Sequence, residues 1–197
     1  MERAQGESEP WAAALGGDSE AFATLFDLHK DRVYRHALRL VSNVHDAEDV
    51  TAGAFLELWR RRASVRLVEG SVLPWLLVTA TNLARNSARS LRRYRALLGA
   101  LPRSGPALGA SEVALDDIEE ARAAERVREA LGSLSRTDSA IIALTAFEGF
   151  SPSQAAAALS ISDGAARARL HRARARAASA LGGSLSGGTT VATKEAK

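Results

Sequence analysis

The sequence predicts an all-α protein of two small helical domains joined by a flexible linker, the C-terminal one a helix-turn-helix. Three observations predict it. No stretch alternates apolar and polar residues between hairpin turns, whereas apolar residues recur at helical spacing over most of the chain. Residues 99–114 carry Pro102, Gly105, Pro106 and Gly109 with few anchoring side chains, which is linker composition. Residues 135–181 read as three short helices with two sharp breaks, the sequence form of a helix-turn-helix.

Size and composition narrow the classes. With 197 residues and 46% hydrophobic content, much of it alanine, two small cores fit better than one large one. There is no cysteine, hence no disulfide framework and no thiol chemistry. No signal-peptide pattern and no bilayer-length apolar run is present, so a cytoplasmic protein without membrane insertion is expected. Net charge is only +3, but it is unevenly spread. Residues 18–59 hold eight acids against four bases, while residues 71–111 hold no acid against Arg85, Arg89, Arg92, Arg93, Arg95 and Arg103. One acidic face and one polyanion-facing segment follow from that asymmetry.

In order, residues 1–17 read as a disordered lead-in, with Trp11 and Leu15 their only large apolar groups. Asp18 can cap a helix to about residue 41, striped by Phe22, Leu25, Phe26, His29, Val33, Ala37 and Leu40. After a break at residues 42–45, Asp46 is expected to cap a second helix, with Asp49 returning the contact. Its stripe is Val50, Ala54, Phe55, Leu58 and Trp59, and it ends in Arg60, Arg61 and Arg62, where cations suit a helix C-terminus. A loop with Gly70 leads to Pro74, which opens a third helix to about residue 98. Asn82, Asn86, Arg89 and Arg93 share one face of that helix, suited to base edges and phosphates or, more plainly, to solvent.

Beyond the linker, a helix from about residue 115 to 130 precedes the turn motif. Ser135 and Asp138 have capping-box spacing, and Glu148, Gly149 and Phe150 break that helix. Ser151, Pro152 and Gln154 restart it, and Ser162 can cap the last helix. That helix carries Ala166, Leu170, Ala173, Ala177 and Leu181 on one face, with Arg167, Arg169, Arg172, Arg174 and Arg176 around it. Such a helix suits the major groove, where arginine meets phosphates and guanine edges; a solvated basic helix is the plainer reading. Residues 182–197 read as a disordered tail.

The residues themselves resemble a family. Asp46-Ala47-Glu48-Asp49-Val50-Thr51 with Ala54-Phe55-Leu56-Glu57-Leu58-Trp59-Arg60 is similar to the second conserved region of extracytoplasmic-function (ECF) sigma factors of bacterial RNA polymerase. Pro74-Trp75-Leu76 with Ala80-Thr81-Asn82-Leu83-Ala84-Arg85-Asn86 resembles that family's promoter-melting helix, and Ser162-Asp163-Gly164 through Arg174 its recognition helix. The resemblance implies that residues 18–98 form sigma region 2 and residues 115–181 sigma region 4. It implies core-polymerase binding by Asp46, Glu48, Asp49, Phe55 and Trp59. Minus-10 DNA binding would fall to Trp75, Asn82, Arg85, Asn86, Arg89, Arg92 and Arg93. Minus-35 DNA binding would fall to Ser162, Gly164, Arg167, Ala168, Arg169, His171 and Arg172. Core RNA polymerase, promoter DNA and an inhibitory anti-sigma factor are the implied partners, with no cofactor, metal or small-molecule substrate.

This chain departs from the family pattern in two places. Gln154-Ala155-Ala156 stands where Glu-Ile-Ala is common, and Gly164-Ala165-Ala166-Arg167-Ala168-Arg169 where Gly-Thr-Val-Lys-Ser-Arg is common. Ala for Ile and Val thins a small core, at up to ~1 kcal/mol or more per site. The lost hydroxyls shift minus-35 readout toward few arginines or DNA shape. An enzyme fits poorly: the four histidines are scattered, and neither a phosphate-binding glycine loop nor a nucleophile elbow is present. His45, Asp46, Glu48 and Asp49 sit too close along one helix start to converge on a metal ion. The rivals are a helix-turn-helix regulator acting without polymerase and a decoy that binds polymerase but opens no promoter.

Overall fold

Asp18 does what its position predicts. Its Oδ1 accepts from the N–H groups of Glu20 and Ala21, satisfying two of the four donors that a helix start leaves open. The computed structural model describes residues 7–99 and 115–186, and among these the chain is helical apart from turns and one isolated β-bridge. The helices are α1 (Ser8–Leu15), α2 (Ser19–Leu40), α3 (Val44–Arg61), α4 (Leu73–Gly99), α5 (Leu115–Ser133), α6 (Arg136–Ile142), α7 (Pro152–Leu159) and α8 (Asp163–Ser186). A π-helical turn, Ala143–Phe147, extends α6.

Two helix starts differ from expectation. Within the lead-in, Ser8–Leu15 is helical, because Trp11 and Ala14 are buried against α2. Glu7 anchors this turn. Its carboxylate accepts from Ser71 Oγ at 2.8 Å and from the Val72 N–H at 2.9 Å, and lies 3.1 Å from His29 Nε2. The cap of α3 is Asn43 rather than Asp46. Asn43 Oδ1 accepts from the Asp46 N–H and its Nδ2 donates to Asp46 Oδ2, both at 2.8 Å. Asn43 has the extended backbone a cap requires, which leaves Asp46 inside the first turn as the returning partner.

Helices α2, α3 and α4 enclose the N-terminal core of Leu25, Val33, Leu58, Leu76 and Leu77, all fully buried. Gly53 lets α3 and α4 approach closely: a Cβ there would lie 3.1 Å from Leu83 Cδ1. Between them the chain reverses at residues 68–71, where Val68 and Ser71 exchange backbone hydrogen bonds. Glu69 and Gly70 both take positive φ, 52° and 79°, as a type I′ turn demands.

In the C-terminal half, Ser135 caps α6 through the Asp138 N–H. Ser151 and Gln154 form a full capping box on α7, with contacts of 2.8 and 3.1 Å. Ser160 takes a left-handed conformation at the end of α7, and Ser162 Oγ accepts from the Ala165 N–H at the start of α8. Helix α8 packs on α5, α6 and α7 through Ala166, Leu170 and Ala173. It continues past the expected residue 181 to Ser186; most of the expected linker 99–114 and the rest of the tail 182–197 lie outside the described residues. The two halves share one continuous buried cluster, with α4 packed on α6 and α7.

Candidate nucleic-acid interface

Helix α4 positions the residues expected to meet the minus-10 strand. Trp75 and Asn82 are half-buried, while Asn86 and Arg89 are exposed on the next turns. The Asn82 Oδ1 atom is buried without a hydrogen-bond partner, a costly state for an amide oxygen. Arg85 and Asn86 are occupied by the C-terminal half. Arg85 donates to the Leu134 carbonyl and, at 3.5 Å, to the Gly132 carbonyl; Arg136 donates to Asn86 Oδ1 at 3.3 Å. The side chains of Arg92 and Arg93 lie outside the described residues.

The residues expected to meet polymerase divide between surface and core. Asp46 is half-buried and committed to Asn43, whereas Glu48 and Asp49 are exposed. Glu48, Ala52 and Leu56 follow at i, i+4 and i+8, so one face of α3 joins carboxylate to apolar surface. Phe55 is 3% exposed and belongs to the core. It packs edge-on with Phe22 and Phe26, at centroid distances of 6.5 and 4.7 Å, and Phe22 lies 5.0 Å from Trp59. What this cluster offers the surface is Phe26, Leu56 and the half-buried Trp59, which Arg62 covers at 4.2 Å.

On α8, Arg167, Ala168, His171 and Arg172 are exposed, and Gly164 faces open space. Arg167, His171 and Arg174 line one open groove along the helix. Arg169 differs from its neighbours. Its Nη1 lies 3.2 Å from the buried carboxylate of Asp138 on α6, and Arg176 lies 3.6 Å from the same carboxylate. The basic helix therefore has two arginines bracing it against α6 and the others facing outward. Ser162 remains a cap, with its backbone at the exposed entry to the helix.

Sequence reasoning missed a polar joint between the halves. Glu148, read only as part of a helix break, carries a carboxylate 5% exposed. It accepts from Arg32 Nε at 3.0 Å and from Arg39 Nη1 at 3.1 Å, and lies 3.0 Å from His36 Nδ1. His36 is fully buried, with its Nε2 2.9 Å from Thr81 Oγ1. Burial works to push the Glu148 carboxyl up, but hydrogen bonds to His36 and Arg32 and their electrostatic attraction outweigh it and hold the group below its ordinary value. The one available signal was the spacing of Arg32, His36 and Arg39, at i, i+4 and i+7 on a single face.

Among the described residues no helix is long and apolar enough to cross a membrane, and no group of His, Cys, Asp or Glu is placed to hold a metal ion. Comparison with known proteins matches both halves. Residues 25–94 fit the model of Sigma-70 region 2, and residues 124–176 that of Sigma-70, region 4. The chain is 32% identical over 157 residues to RNA polymerase sigma factor CarQ of Myxococcus xanthus, covering 79% of this chain and 86% of that one. It is 28% identical over 160 residues to the ECF RNA polymerase sigma factor SigL of Mycobacterium tuberculosis (strain ATCC 25618 / H37Rv), covering 81% and 88%. Among solved structures, it superposes on CnrH, captured in complex with the cytosolic domain of CnrY. That match has a TM-score of 0.57 and 24% identity, over 90% of this chain and 97% of the other.

Proposed function

Because this chain belongs to the extracytoplasmic-function sigma factors of the sigma-70 family, we propose that it performs promoter recognition and melting through three separate surfaces. The exposed edge of α3, with Glu48, Asp49 and Leu56 beside Trp59, docks core RNA polymerase. Helix α4 and the turn before it capture the displaced minus-10 strand, Asn82 and Asn86 reading base edges and Arg85 and Arg89 holding phosphates. Helix α8 enters the minus-35 major groove with Arg167, His171 and Arg172 leading and Arg169 held back by Asp138. The family is not a class of catalytic enzymes, and in this reading the chain contributes no chemistry of its own. It works in the cytoplasm, where polymerase and DNA are, and an anti-sigma partner regulates it, as membership of this family implies.

The observation that carries this reading is the order of both matched regions on one chain, with exposed acids on α3 and exposed bases on α4 and α8. Run-off transcription with core polymerase and a pool of promoters from the same genome tests it. Protein-dependent transcripts with shared upstream elements are expected. Replacing Asn82 and Asn86 together by Ala should reduce open-complex formation about tenfold or more, with closed-complex binding much less affected. Equal loss in both steps would remove the assigned role. Polymerase binding without any transcript would make the chain a decoy, and no polymerase binding would make it an independent regulator.

A further inference from the structure

We propose that Glu7, which lies outside the residues 25–94 that match Sigma-70 region 2, is a positioning residue for minus-10 recognition. Standing at the start of α1, it holds the turn before α4 and the first residues of α4 itself. The proposal rests on the strand-capture reading of α4 and adds what fixes that surface in place.

The turn at residues 68–71 has little of its own to hold it. It is an isolated β-bridge closed by two backbone hydrogen bonds, and a lone hairpin is marginal in water. Glu69 adds strain, because a non-glycine residue rarely takes a φ of 52°. Val68 and Val72 are buried and fix the apolar side of the turn. Glu7 fixes the polar side.

Glu7 precedes α1, yet its side chain makes no cap for that helix. Both carboxylate oxygens go to the other end of the N-terminal half instead. Oε1 accepts from Ser71 Oγ, and Oε2 accepts from the Val72 N–H. Ser71 Oγ accepts in turn from the N–H of Leu73, the first residue of α4, at 3.1 Å. A hydroxyl has one proton to donate, so the carboxylate that takes it also aims the oxygen at Leu73. The N–H groups of Val72 and Leu73 are among the donors that a helix start leaves open. A carboxylate here also meets the positive end of the helix dipole. Glu7 is therefore a cap for α4 supplied from 65 residues away. Trp75 follows two residues after Leu73, and Asn82 stands two turns further along the same helix.

His29 on α2 completes the arrangement. Its Nε2 lies 3.1 Å from Glu7 Oε1, and the two side chains are only 6% and 4% exposed. A buried carboxylate is costly without partners, and these three all lie on elements other than α1. The Glu7 carbonyl accepts from the N–H of buried Trp11, so the packing of α1 sets where the carboxylate stands.

Holoenzyme assembled from core polymerase and the full chain is compared with holoenzyme carrying Glu7→Ala or Glu7→Gln. The templates are a promoter recovered by run-off transcription and copies with single bases replaced in the minus-10 or the minus-35 element. The readout is the ratio of transcripts from original and altered promoters competing in one reaction. Loss of folded protein lowers both transcripts and leaves that ratio alone. Glu7→Ala should lower minus-10 discrimination about threefold or more, with minus-35 discrimination unchanged. Glu7→Gln keeps one acceptor oxygen, should fall between, and serves if Glu7→Ala does not fold. An unchanged minus-10 ratio in Glu7→Ala, or in Glu7→Gln should only that variant fold, overturns the role of Glu7 and leaves the reading of α4 standing. Equal losses at both elements do the same. A parent that does not distinguish minus-10 bases overturns both.

Discussion

The two halves of this chain solve the problem of a small core differently. The N-terminal half buries Trp11, Leu25, Phe55, Leu58, Leu76 and Leu77, large side chains that fill space. The C-terminal half buries fewer large groups, Leu131, Leu134, Ile141, Ile142, Leu144 and Leu170, among Ala130, Ala140, Ala143, Ala155, Ala156, Ala166 and Ala173. At ~25 cal/mol per Å² of apolar surface, alanines contribute much less per position than leucines. Polar ties compensate: Asp138 to Arg169 and Arg176, Ser139 Oγ to the Leu131 carbonyl at 2.5 Å, and the capping box on α7. A half rich in large apolar groups can stand on packing. A half rich in alanine stands on geometry, and on its neighbour.

That contrast can be broken from either side. The largest effect is expected in the dense half, where Leu58→Ala should cost about 2–5 kcal/mol through lost burial and the cavity left behind. A urea melt followed by circular dichroism measures it, and a loss below about 1 kcal/mol would mean that the core collapses freely around the gap. A smaller effect is expected in the thin half. Asp138→Ala removes a buried carboxylate from two arginines that are themselves part-exposed, so about 1–2 kcal/mol is expected, with a lowered denaturation midpoint. It should also free Arg169, so minus-35 selectivity should shift in a binding assay even where affinity changes little. An unchanged selectivity profile would show that Arg169 reaches DNA despite its partner.

The smallest and most gradual effect is acid sensitivity. Burial pushes the Glu7 carboxyl up, but His29, the Val72 N–H and Ser71 together hold it below its ordinary value. Its contribution is therefore fully present above the ordinary carboxylate range and is lost as pH falls through the lowered folded-state value. The same direction holds for Glu148. Melting midpoints should fall on acidification, less so in Glu7→Gln, and that difference isolates the anchor of α1.

Much of this architecture was legible in the sequence because it is local. The caps at Asp18, Ser135, Ser151 and Ser162 act within three residues of themselves, and helix periodicity needs only a few turns. Local rules gave the wrong cap for α3, because Asn43 and Asp46 are both good capping residues and only the backbone conformation chose between them. Helix α1 was hidden for another reason. Its two buried groups, Trp11 and Ala14, and its anchor Glu7 are meaningful only beside His29, Ser71 and Val72. The joint at Glu148 is the extreme case, with partners 109 to 116 residues away. Phe55 shows the converse error: its place on an apolar stripe was visible, but not that the stripe faces inward.

The tether between the halves changes what the Glu148 contact has to achieve. Two separate proteins meeting over this seam, the Glu148 contact and the apolar packing beside it, would separate on sufficient dilution. Covalently joined in one chain, the same surfaces meet at an effective concentration that does not depend on the protein's own, so a weak contact suffices at any dilution. Proximity decays slowly, since doubling a flexible loop costs only about 0.6 kcal/mol. The contact at residue 148 therefore answers to its own charge and partners far more than to how much protein is present.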